Sequence, residues 1–277
     1  PLLAELTAHK PTLKVLNKQD LADPGRTGAW LAWYNARADT SAIALDASDA
    51  APARRLIDAC RQLAPNRRGL SKPMRVLICG IPNVGKSTLI NTLSRKTQAK
   101  TGDEAGITKQ EQRIVLDDDF YLWDTPGMLW PRIIVPESGL RLAASGAMGR
   151  NAYDEEEVVL ELLAYLKQHY APLIDARYKL GLDAEAIAAR HDDELLELIA
   201  RKRGAVMSGG RLNMQKAAEI VLTDLRGAAL GRLTLETVPE FEAWLAAGQL
   251  QDKARAERKA EQRKRDERRA RNAQRRE

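Results

Sequence analysis

The sequence predicts an α/β domain with a mostly parallel sheet, followed by a small all-α domain and a charged tail. The first sign is a short apolar run at residues 74–79, which leads through a glycine-containing loop into a helical pattern. After residue 136, strand patterns give way to helical ones, and residues 251–277 contain almost no large apolar side chain. We therefore expect domains at residues 1–136, 137–250 and 251–277.

The loop at residues 80–87 matches the phosphate-binding pattern Gly-x-x-x-x-Gly-Lys-Ser, called a P-loop. In such a loop the backbone N–H groups surround a polyphosphate, Lys86 reaches the terminal phosphates, and the Ser87 hydroxyl ligates Mg²⁺. The strand pattern before it and the helix pattern after it supply the required context. The predicted nucleotide-binding residues of this loop are Gly80, Asn83, Val84, Gly85, Lys86, Ser87 and Thr88.

A second motif, Asn17-Lys18-Gln19-Asp20, precedes the P-loop in the chain. A carboxylate placed like Asp20 can accept hydrogen bonds from the ring N–H and the exocyclic amine of guanine, whereas adenine lacks this pair of donors. Buried polar groups left unpaired cost about 1–3 kcal/mol each, so such a site rejects the wrong base. The motif predicts GTP, and residues 13–16 form the strand that delivers it to the carboxyl edge of the sheet.

Further pieces complete the pocket, and the pattern at residues 43–47 is the poorest of them. Residues 43–47 resemble the last base-binding strand, with the Ala47 N–H contacting the guanine carbonyl oxygen, although Ser41-Ala42 is a competing position. Residues 120–123 form a strand that ends in Asp124-Thr-Pro-Gly127, where Asp124 holds a magnesium-bound water and the Gly127 N–H meets the γ-phosphate. Residues 117–119 form the turn of the hairpin before it. Thr108 is the second hydroxyl ligand, so the predicted magnesium set is Ser87, Thr108 and Asp124.

The order of these motifs is that of a circularly permuted GTPase, and the residues resemble the ribosome-biogenesis GTPase A family, also called YlqF. The family-specific runs lie at residues 124–131, 139–146, 207–210, 225–226 and 230–233. The resemblance implies a GTPase that matures the large ribosomal subunit, binds ribosomal RNA and is accelerated by the assembling particle. A GTP-dependent switch that regulates a protein partner is the alternative. An ATPase or kinase sharing only the P-loop is disfavoured by Asp20.

Catalysis departs from simple signalling GTPases, because Met128 stands where a glutamine often orients the attacking water. Methionine cannot do this by hydrogen bonding, so we expect slow intrinsic hydrolysis. The predicted catalytic residues are Lys86, Thr108 and Asn83. The resemblance suggests that Asn83 helps to hold K⁺, while an asparagine there is equally explained as a turn residue. The family's catalytic histidine belongs to an N-terminal segment, and it is not matched by His9, His169 or His191.

The resemblance also implies an additional first strand, placed between the strands at residues 76–79 and 13–16. Residues 1–6 instead have the pattern of a helix end. We therefore expect a sheet that lacks this strand, in a chain that is part of a longer gene product.

Helical patterns dominate the second domain. We predict helices at residues 154–170, 192–203 and 213–226, followed by a shorter helix from Pro239 that buries Phe241, Trp244 and Leu245.

Charge and cysteine usage bear on partners and compartment. Residues 251–277 hold 12 Lys/Arg and 6 Asp/Glu, whereas the rest of the chain holds 32 of each. Such a tail, helical or disordered, suits RNA binding by counterion release, although a solvated tail that aids solubility has the same composition.

Cys60 and Cys79 form neither a disulfide framework nor a zinc quartet, which fits the cytoplasm. No apolar run is long enough for a membrane span, and a monomer is favoured. Candidate phosphate contacts are Lys202, Arg203, Arg211 and Arg226.

Overall fold

The computed structural model describes residues 10–94, 112–129 and 133–274, with side chains described through residue 266. The predictions for Thr108, for His9 and for residues 1–6 lie outside this part of the chain.

The strands form two separate sheets. Parallel strands β1 (Thr12–Leu16) and β2 (Thr40–Ala44) form the first, and β3 (Met74–Ile78), β5 (Phe120–Asp124) and β4 (Gln112–Asp117) lie in that order in the second. Among the described strands no pairing joins the two sheets, so the sheet is not continuous between β1 and β3. This division matches the gap expected from the sequence.

The pairing within the second sheet places the ends of two strands side by side. β3 is parallel to β5, and Ile78 is the register partner of Asp124. β4 is antiparallel to β5, which confirms the hairpin predicted around residues 117–119. β3 is not buried on both faces, since Leu77 is 54% exposed. Side chains alternate between the faces of a strand, and only the face of Val76 and Ile78 packs into a core.

Helices α1 (Pro24–Asn35), α2 (Ala50–Leu63) and α3 (Lys86–Ser94) accompany these strands. A small apolar cluster contains residues from both sheets and from α2 and α3: Leu13, Val15, Ile43, Leu45, Ala47, Ala53, Leu56, Ile78, Leu89 and Leu93. The ends of β1 and β2 are therefore held next to the beginning of α3 by packing, not by strand pairing.

The helical segment begins with α4 (Pro136–Ala144) and a short 3₁₀ turn at Arg150–Ala152. It continues with α5 (Glu155–His169), α6 (Ala171–Tyr178), α7 (Ala184–Ala188), α8 (Asp192–Lys202) and α9 (Met214–Arg226). The predicted helices at residues 154–170, 192–203 and 213–226 are confirmed within one or two residues.

Capping side chains account for where α5 and α9 begin. Asp154 accepts hydrogen bonds from the N–H groups of Glu156 and Glu157, at 2.9 and 3.0 Å, and Asn213 accepts one from the Lys216 N–H. These contacts satisfy N–H groups that have no partner within the helix. The apolar faces of α5, α8 and α9 meet in one core that includes Leu163, Leu196, Ile199 and Val221.

The last helix, α10 (Val238–Gln274), differs from the prediction of a short helix followed by a tail. It is 37 residues long, and Phe241, Trp244 and Leu245 are half-buried rather than buried. Its start is fixed by reciprocal hydrogen bonds between Thr237 and Glu240. It continues past residue 250 because alanine, glutamate, lysine, arginine and glutamine all favour helix.

The chain forms two compact units. The first contains residues up to Leu129 together with Leu140–Leu235, so the strands and helices α5–α9 share it. The second contains residues 133–139 and 236–274. The division at residues 136 and 250 stays a prediction. In the part of the chain described here, no helix combines the length and apolarity that crossing a bilayer requires.

Candidate nucleotide-binding site

The P-loop connects β3 to α3 and has the backbone geometry that phosphate binding requires. Asn83 and Gly85 have positive φ angles of 58° and 90°, which turn the chain tightly before the helix begins at Lys86. Ser87 and Thr88 follow in the first helical turn, where the N–H groups lack partners within the helix. The local fold of this segment therefore agrees with its predicted role as an anion cradle.

Lys86 folds back over the loop. Its ammonium donates hydrogen bonds to the carbonyl oxygens of Gly80 and Ile81, at 3.0 and 2.8 Å. Burial lowers the pKa of this ammonium, and the nearby carboxylate of Asp124 opposes part of the shift. The ammonium is therefore held against the backbone of the P-loop, and its contact with the phosphates stays a prediction.

Asn17 joins three segments of the chain. Its side-chain amide donates to the Val84 carbonyl in the P-loop at 2.8 Å, and its side-chain oxygen accepts from the Ala47 N–H at 2.8 Å. A Cβ at Gly85 would lie 2.2 Å from the Asn17 Nδ2 atom, so only glycine allows this approach. The end of β1, the loop after β2 and the P-loop are thus held together by one side chain.

The guanine-reading turn continues from Asn17 with Lys18 in the left-handed region, at φ 59°. Leu21 N–H donates to the Lys18 carbonyl at 3.0 Å, and Gln19 N–H donates to the Leu45 carbonyl at 3.2 Å. Asp20 projects from this turn and is exposed. The structure therefore brings Asn17 into contact with the P-loop, and Lys18 and Asp20 follow it in the same turn.

The surroundings of β2 and the loop after it bear on the two positions, Ala47 and Ser41-Ala42, that the sequence offered for the last contact with guanine. Ala42 lies inside β2, and its N–H is already bonded to Asn35 at 2.8 Å, so the Ser41-Ala42 position does not face the site. Ala47 does lie beside Asn17, but its N–H donates to the Asn17 side chain. The direct contact of the Ala47 N–H with guanine stays a prediction.

The Asp124–Gly127 run, predicted to sense the γ-phosphate, meets the P-loop. Asp124 ends β5 and is 1% exposed, and the Thr125 hydroxyl donates to the Ile78 carbonyl at 2.9 Å. A Cβ at Gly127 would lie 2.9 Å from the Lys86 Nζ atom and 3.1 Å from Pro82 Cα. The Ser87 hydroxyl and the Asp124 carboxylate are hard oxygen donors beside one loop, which suits Mg²⁺.

Asn83, predicted to be catalytic, and the other residues weighed for catalysis have varied surroundings. The Asn83 side-chain amide donates to the carbonyl oxygen of Gly146, in the helical segment, at 2.8 Å. Met128 is 72% exposed. His169 packs against Tyr165, with ring centroids 4.3 Å apart, and His191 lies at the start of α8. Neither histidine contacts the P-loop in these interactions.

Two of the candidate phosphate contacts serve another purpose. The Arg226 guanidinium donates to the carbonyls of Ala143 and Ala144, both at 2.9 Å, and to the Tyr153 hydroxyl at 3.0 Å. Arg203 lies 3.6 Å from the buried carboxylate of Asp224. Both side chains therefore stabilise the helical segment, and the prediction that they contact phosphate is not supported.

Sequence reasoning missed a set of contacts behind the guanine-reading turn. They involve Asp23 and Arg26 at the start of α1, Tyr170 after α5, and residues 232–234. The Asp-Pro pair at residues 23–24 is a helix-start signal that could have located α1. No local pattern could have paired it with residues 232–234.

The two cysteines differ in environment, and this gives a direct check on the fold. Burial raises the pKa of the Cys60 thiol to about 11, whereas Cys79 is exposed. We expect iodoacetamide at pH 8 to alkylate Cys79 at least tenfold faster than Cys60, because only the thiolate reacts. Peptide mass spectrometry over time measures both rates. In the Cys79→Ser variant, only the slow alkylation of Cys60 remains to be measured. Equal rates in the folded protein would contradict the burial of Cys60.

The fold and the site define a GTPase of the P-loop class. Residues 75–203 match the family model described as 50S ribosome-binding GTPase. Ribosome biogenesis GTPase A of Bacillus cereus is 38% identical over 248 residues, which cover 87% of this chain and 82% of the relative. The protein of the same name from Priestia megaterium is 36% identical, with coverages of 87% and 85%. The chain belongs to the ribosome biogenesis GTPase A family, and it binds and hydrolyses GTP.

Solved structures agree with this assignment. A GDP-bound YlqF structure is 25% identical, with a TM-score of 0.56 over 82% of this chain and 83% of the other. YlqF from Thermotoga maritima bound to GNP is 23% identical, with a TM-score of 0.55 and coverage of 83% of each chain, and supports the fold alone.

Proposed function

We propose that this GTPase is an assembly factor for the large ribosomal subunit, and that it binds a precursor of that subunit through ribosomal RNA. The observation that carries the nucleotide part is the Asn17 bridge, which joins the guanine-reading turn to the P-loop. The ribosomal part is supported by the names of the relatives, which are ribosome biogenesis GTPases. The chain order, with the guanine-reading turn before the P-loop, supports a circularly permuted GTPase domain.

In this proposal each part of the site has a separate task. Asp20 reads guanine, with Asn17, Lys18 and Ala47 shaping the base pocket. The phosphates are held by Gly80, Asn83, Val84, Gly85, Lys86, Ser87 and Thr88. Mg²⁺ is held by Ser87, Thr108 and Asp124, and Gly127 contacts the γ-phosphate. The ion, when bound, would neutralise charge on the β- and γ-phosphates.

Hydrolysis is proposed to be slow in the isolated protein and to be accelerated by the ribosomal particle. Met128 offers no hydrogen bond to the attacking water, so the particle has to complete the site. Asn83 is the candidate ligand for an accelerating K⁺ ion through its side-chain oxygen. Its amide already donates to Gly146, which fixes the side chain in the P-loop.

Nucleotide state is proposed to change the placement of the helical domain. The P-loop donates to this segment through Asn83, and Gly127 lies so near the P-loop that a Cβ there would be 3.1 Å from Pro82 Cα. A γ-phosphate that draws Gly127 inward would therefore act on a loop that already contacts residue 146. Such ordering and release of a segment is how many GTPases signal their state.

RNA binding is proposed for α10 and for exposed basic residues of the helical segment, such as Lys202 and Arg211. Residues 251–266 of α10 are almost entirely exposed, and no large apolar face competes for them. Phosphate contacts by such side chains release counterions and give affinity that falls steeply with salt. We further propose a cytoplasmic monomer.

We expect neutralisation of four exposed basic residues of α10 to reduce the salt dependence of RNA binding. The variant carries glutamine at Arg255, Arg258, Lys259 and Arg265. The slope of log affinity against log salt should fall by about 3, since each phosphate contact contributes about 0.7–0.9. Filter binding to a ribosomal RNA fragment at several salt concentrations measures it.

A matched control removes the same charge elsewhere, at the exposed residues Arg54, Arg55, Arg67 and Arg68. Its slope should stay within about 1 of the unaltered protein, because those residues lie outside α10. If both variants lose the same slope, binding follows net charge and the role proposed for α10 is wrong.

The assembly function is tested with purified subunits. GTP turnover should rise at least tenfold with large ribosomal subunits and stay unchanged with small ones, and it should be higher in KCl than in NaCl. Crosslinking of the GTP-loaded protein to ribosomal particles, with sequencing of the attached RNA, should recover large-subunit RNA. Turnover that responds to neither subunit, with no such RNA recovered, would remove the ribosomal assignment and favour a switch acting on a protein partner.

A further inference from the structure

The guanine-reading turn is held from behind by residues of the helical segment. Arg232 donates to two of its carbonyl oxygens, to that of Gln19 at 2.7 Å through Nη2 and to that of Ala22 at 2.9 Å through Nε. The Leu233 N–H donates to the Leu21 carbonyl at 3.0 Å. Three contacts thus come from two adjacent residues, Arg232 and Leu233, that are more than 200 positions away in the chain.

These contacts lie on both sides of Asp20. The Gln19 carbonyl belongs to the peptide group that joins residue 19 to Asp20, and the Leu21 carbonyl belongs to the one that follows Leu21. With both held, and with the Gln19 N–H bonded to the Leu45 carbonyl, little backbone rotation is left at Asp20. The backbone from which the Asp20 carboxylate projects is therefore held in part by residues 232 and 233.

The segment that holds the turn is itself anchored. Leu230 and Leu233 are 2% and 9% exposed and belong to the core of the helical segment. Next to them, the Thr234 N–H donates to the Tyr170 hydroxyl at 3.1 Å, and the Thr234 carbonyl accepts from Arg26 at 2.6 Å. Arg232 and Leu233 consequently project from a rigid base.

A second connection lies one turn further along the chain. The Asp23 N–H donates to the Thr234 hydroxyl at 3.2 Å, and the Tyr170 hydroxyl donates to the Asp23 carboxylate at 3.2 Å. Asp23 caps α1 by accepting from the Arg26 N–H at 3.0 Å. The start of α1 is therefore fixed to the same residues that hold the guanine-reading turn.

We propose that Arg232 is a positioning residue for guanine selectivity: it fixes the turn that aims Asp20 at the base, and so links the helical segment to base recognition. This proposal rests on the role of Asp20 proposed above. Arg232 does not touch the nucleotide in this account, and the phosphate-binding loop is independent of it. Its loss should weaken base reading while phosphate binding persists.

Inosine diphosphate separates these two effects, because it lacks the exocyclic amine that Asp20 reads but keeps the ribose and both phosphates. We expect Arg232→Ala to lower the preference for GDP over IDP by about tenfold, because the affinity for IDP, which offers Asp20 only the ring N–H, should fall by a smaller factor than the affinity for GDP. Arg232→Lys should give a smaller loss, because the lysine ammonium can still donate to a carbonyl of the turn but lacks the fixed planar fork of the guanidinium. Displacement of a fluorescent GDP analogue measures both affinities.

Two further variants make the experiment decisive. Arg201→Ala removes an exposed arginine that pairs only at 3.8 Å with Glu197, and it should leave the preference unchanged. Asp20→Asn should abolish the preference. If Asp20→Asn retains it, the assignment of Asp20 is wrong, and this proposal falls with it. If Asp20→Asn abolishes the preference but Arg232→Ala keeps it, or weakens GDP and IDP equally, only the proposal for Arg232 is overturned.

Linkage supplies a second measurement on the unaltered protein. If the helical contacts favour guanine, guanine must favour the contacts by the same factor. We expect GDP to slow hydrogen exchange of the Leu233 amide more than a concentration of IDP that gives equal occupancy. Equal protection by the two nucleotides would overturn the proposal, because the coupling would then not depend on the guanine amine.

Discussion

Asn17→Ala is expected to weaken GDP and GTP binding by about 100-fold and to lower the free energy of unfolding by about 2–3 kcal/mol. The substitution leaves the Val84 carbonyl and the Ala47 N–H without the side chain that bonds both. Three segments then lose their common connection, so the base pocket and the P-loop are no longer held in register. Fluorescent nucleotide titration and urea unfolding measure the two effects.

Asn35 offers a matched control for this prediction. Its side chain also bonds a backbone at two points, accepting from the Ala42 N–H at 2.8 Å and donating to the Ala42 carbonyl at 3.5 Å. It lies at the end of α1, away from the P-loop. Asn35→Ala should lose a similar part of the stability, whereas its nucleotide affinity should change less than about threefold. Equal losses of affinity in both variants would show that Asn17 acts only through stability.

Asp224→Ala is expected to have the largest effect on stability, a loss of about 3 kcal/mol or more in the free energy of unfolding. Asp224 is 6% exposed in α9, accepts two hydrogen bonds from the Arg177 guanidinium, and lies 3.6 Å from Arg203. Removing the carboxylate leaves two partly buried cations close together without their counter-charge. Urea unfolding of both proteins at neutral pH measures the difference.

The control for Asp224 is Glu219 on the same helix, an acidic residue that pairs with Lys216 at the surface. Glu219→Ala should change the free energy of unfolding by less than about 0.5 kcal/mol, because exposed ion pairs contribute little. A loss below about 1 kcal/mol for Asp224→Ala would contradict a stabilising role of the buried cluster.

Prediction from the sequence succeeded where structure depends on neighbouring residues. The P-loop follows from glycines and a lysine at fixed spacing, and the helices from residues 154 and 213 follow from apolar residues at helical spacing. It was incomplete at α10, where a shorter helix from Pro239 and a separate tail, helical or disordered, were predicted. The helix instead continues through a segment that has no core to pack, because the intrinsic preference of its residues is enough.

The candidate site was predictable in part, because its motifs also depend on neighbouring residues. The motif around Asn17 predicts guanine recognition, but it does not indicate which atoms elsewhere in the chain hold the motif in place. Arg226 was a candidate phosphate contact because it is basic, whereas in the structure its guanidinium donates to the carbonyls of residues 143 and 144. A single basic residue looks the same in a sequence whether it faces solvent or caps a neighbouring helix.

The sequence by itself determined the nucleotide chemistry, since phosphate and base motifs act through backbone geometry and side chains within a few residues. Only the tertiary structure decided what supports those motifs. Asn17 bonds to a carbonyl 67 positions away, and Arg232 bonds to one 213 positions away. Contacts at such separations leave no spacing or periodicity in the chain, because packing of the apolar core, not local conformation, brings their partners together.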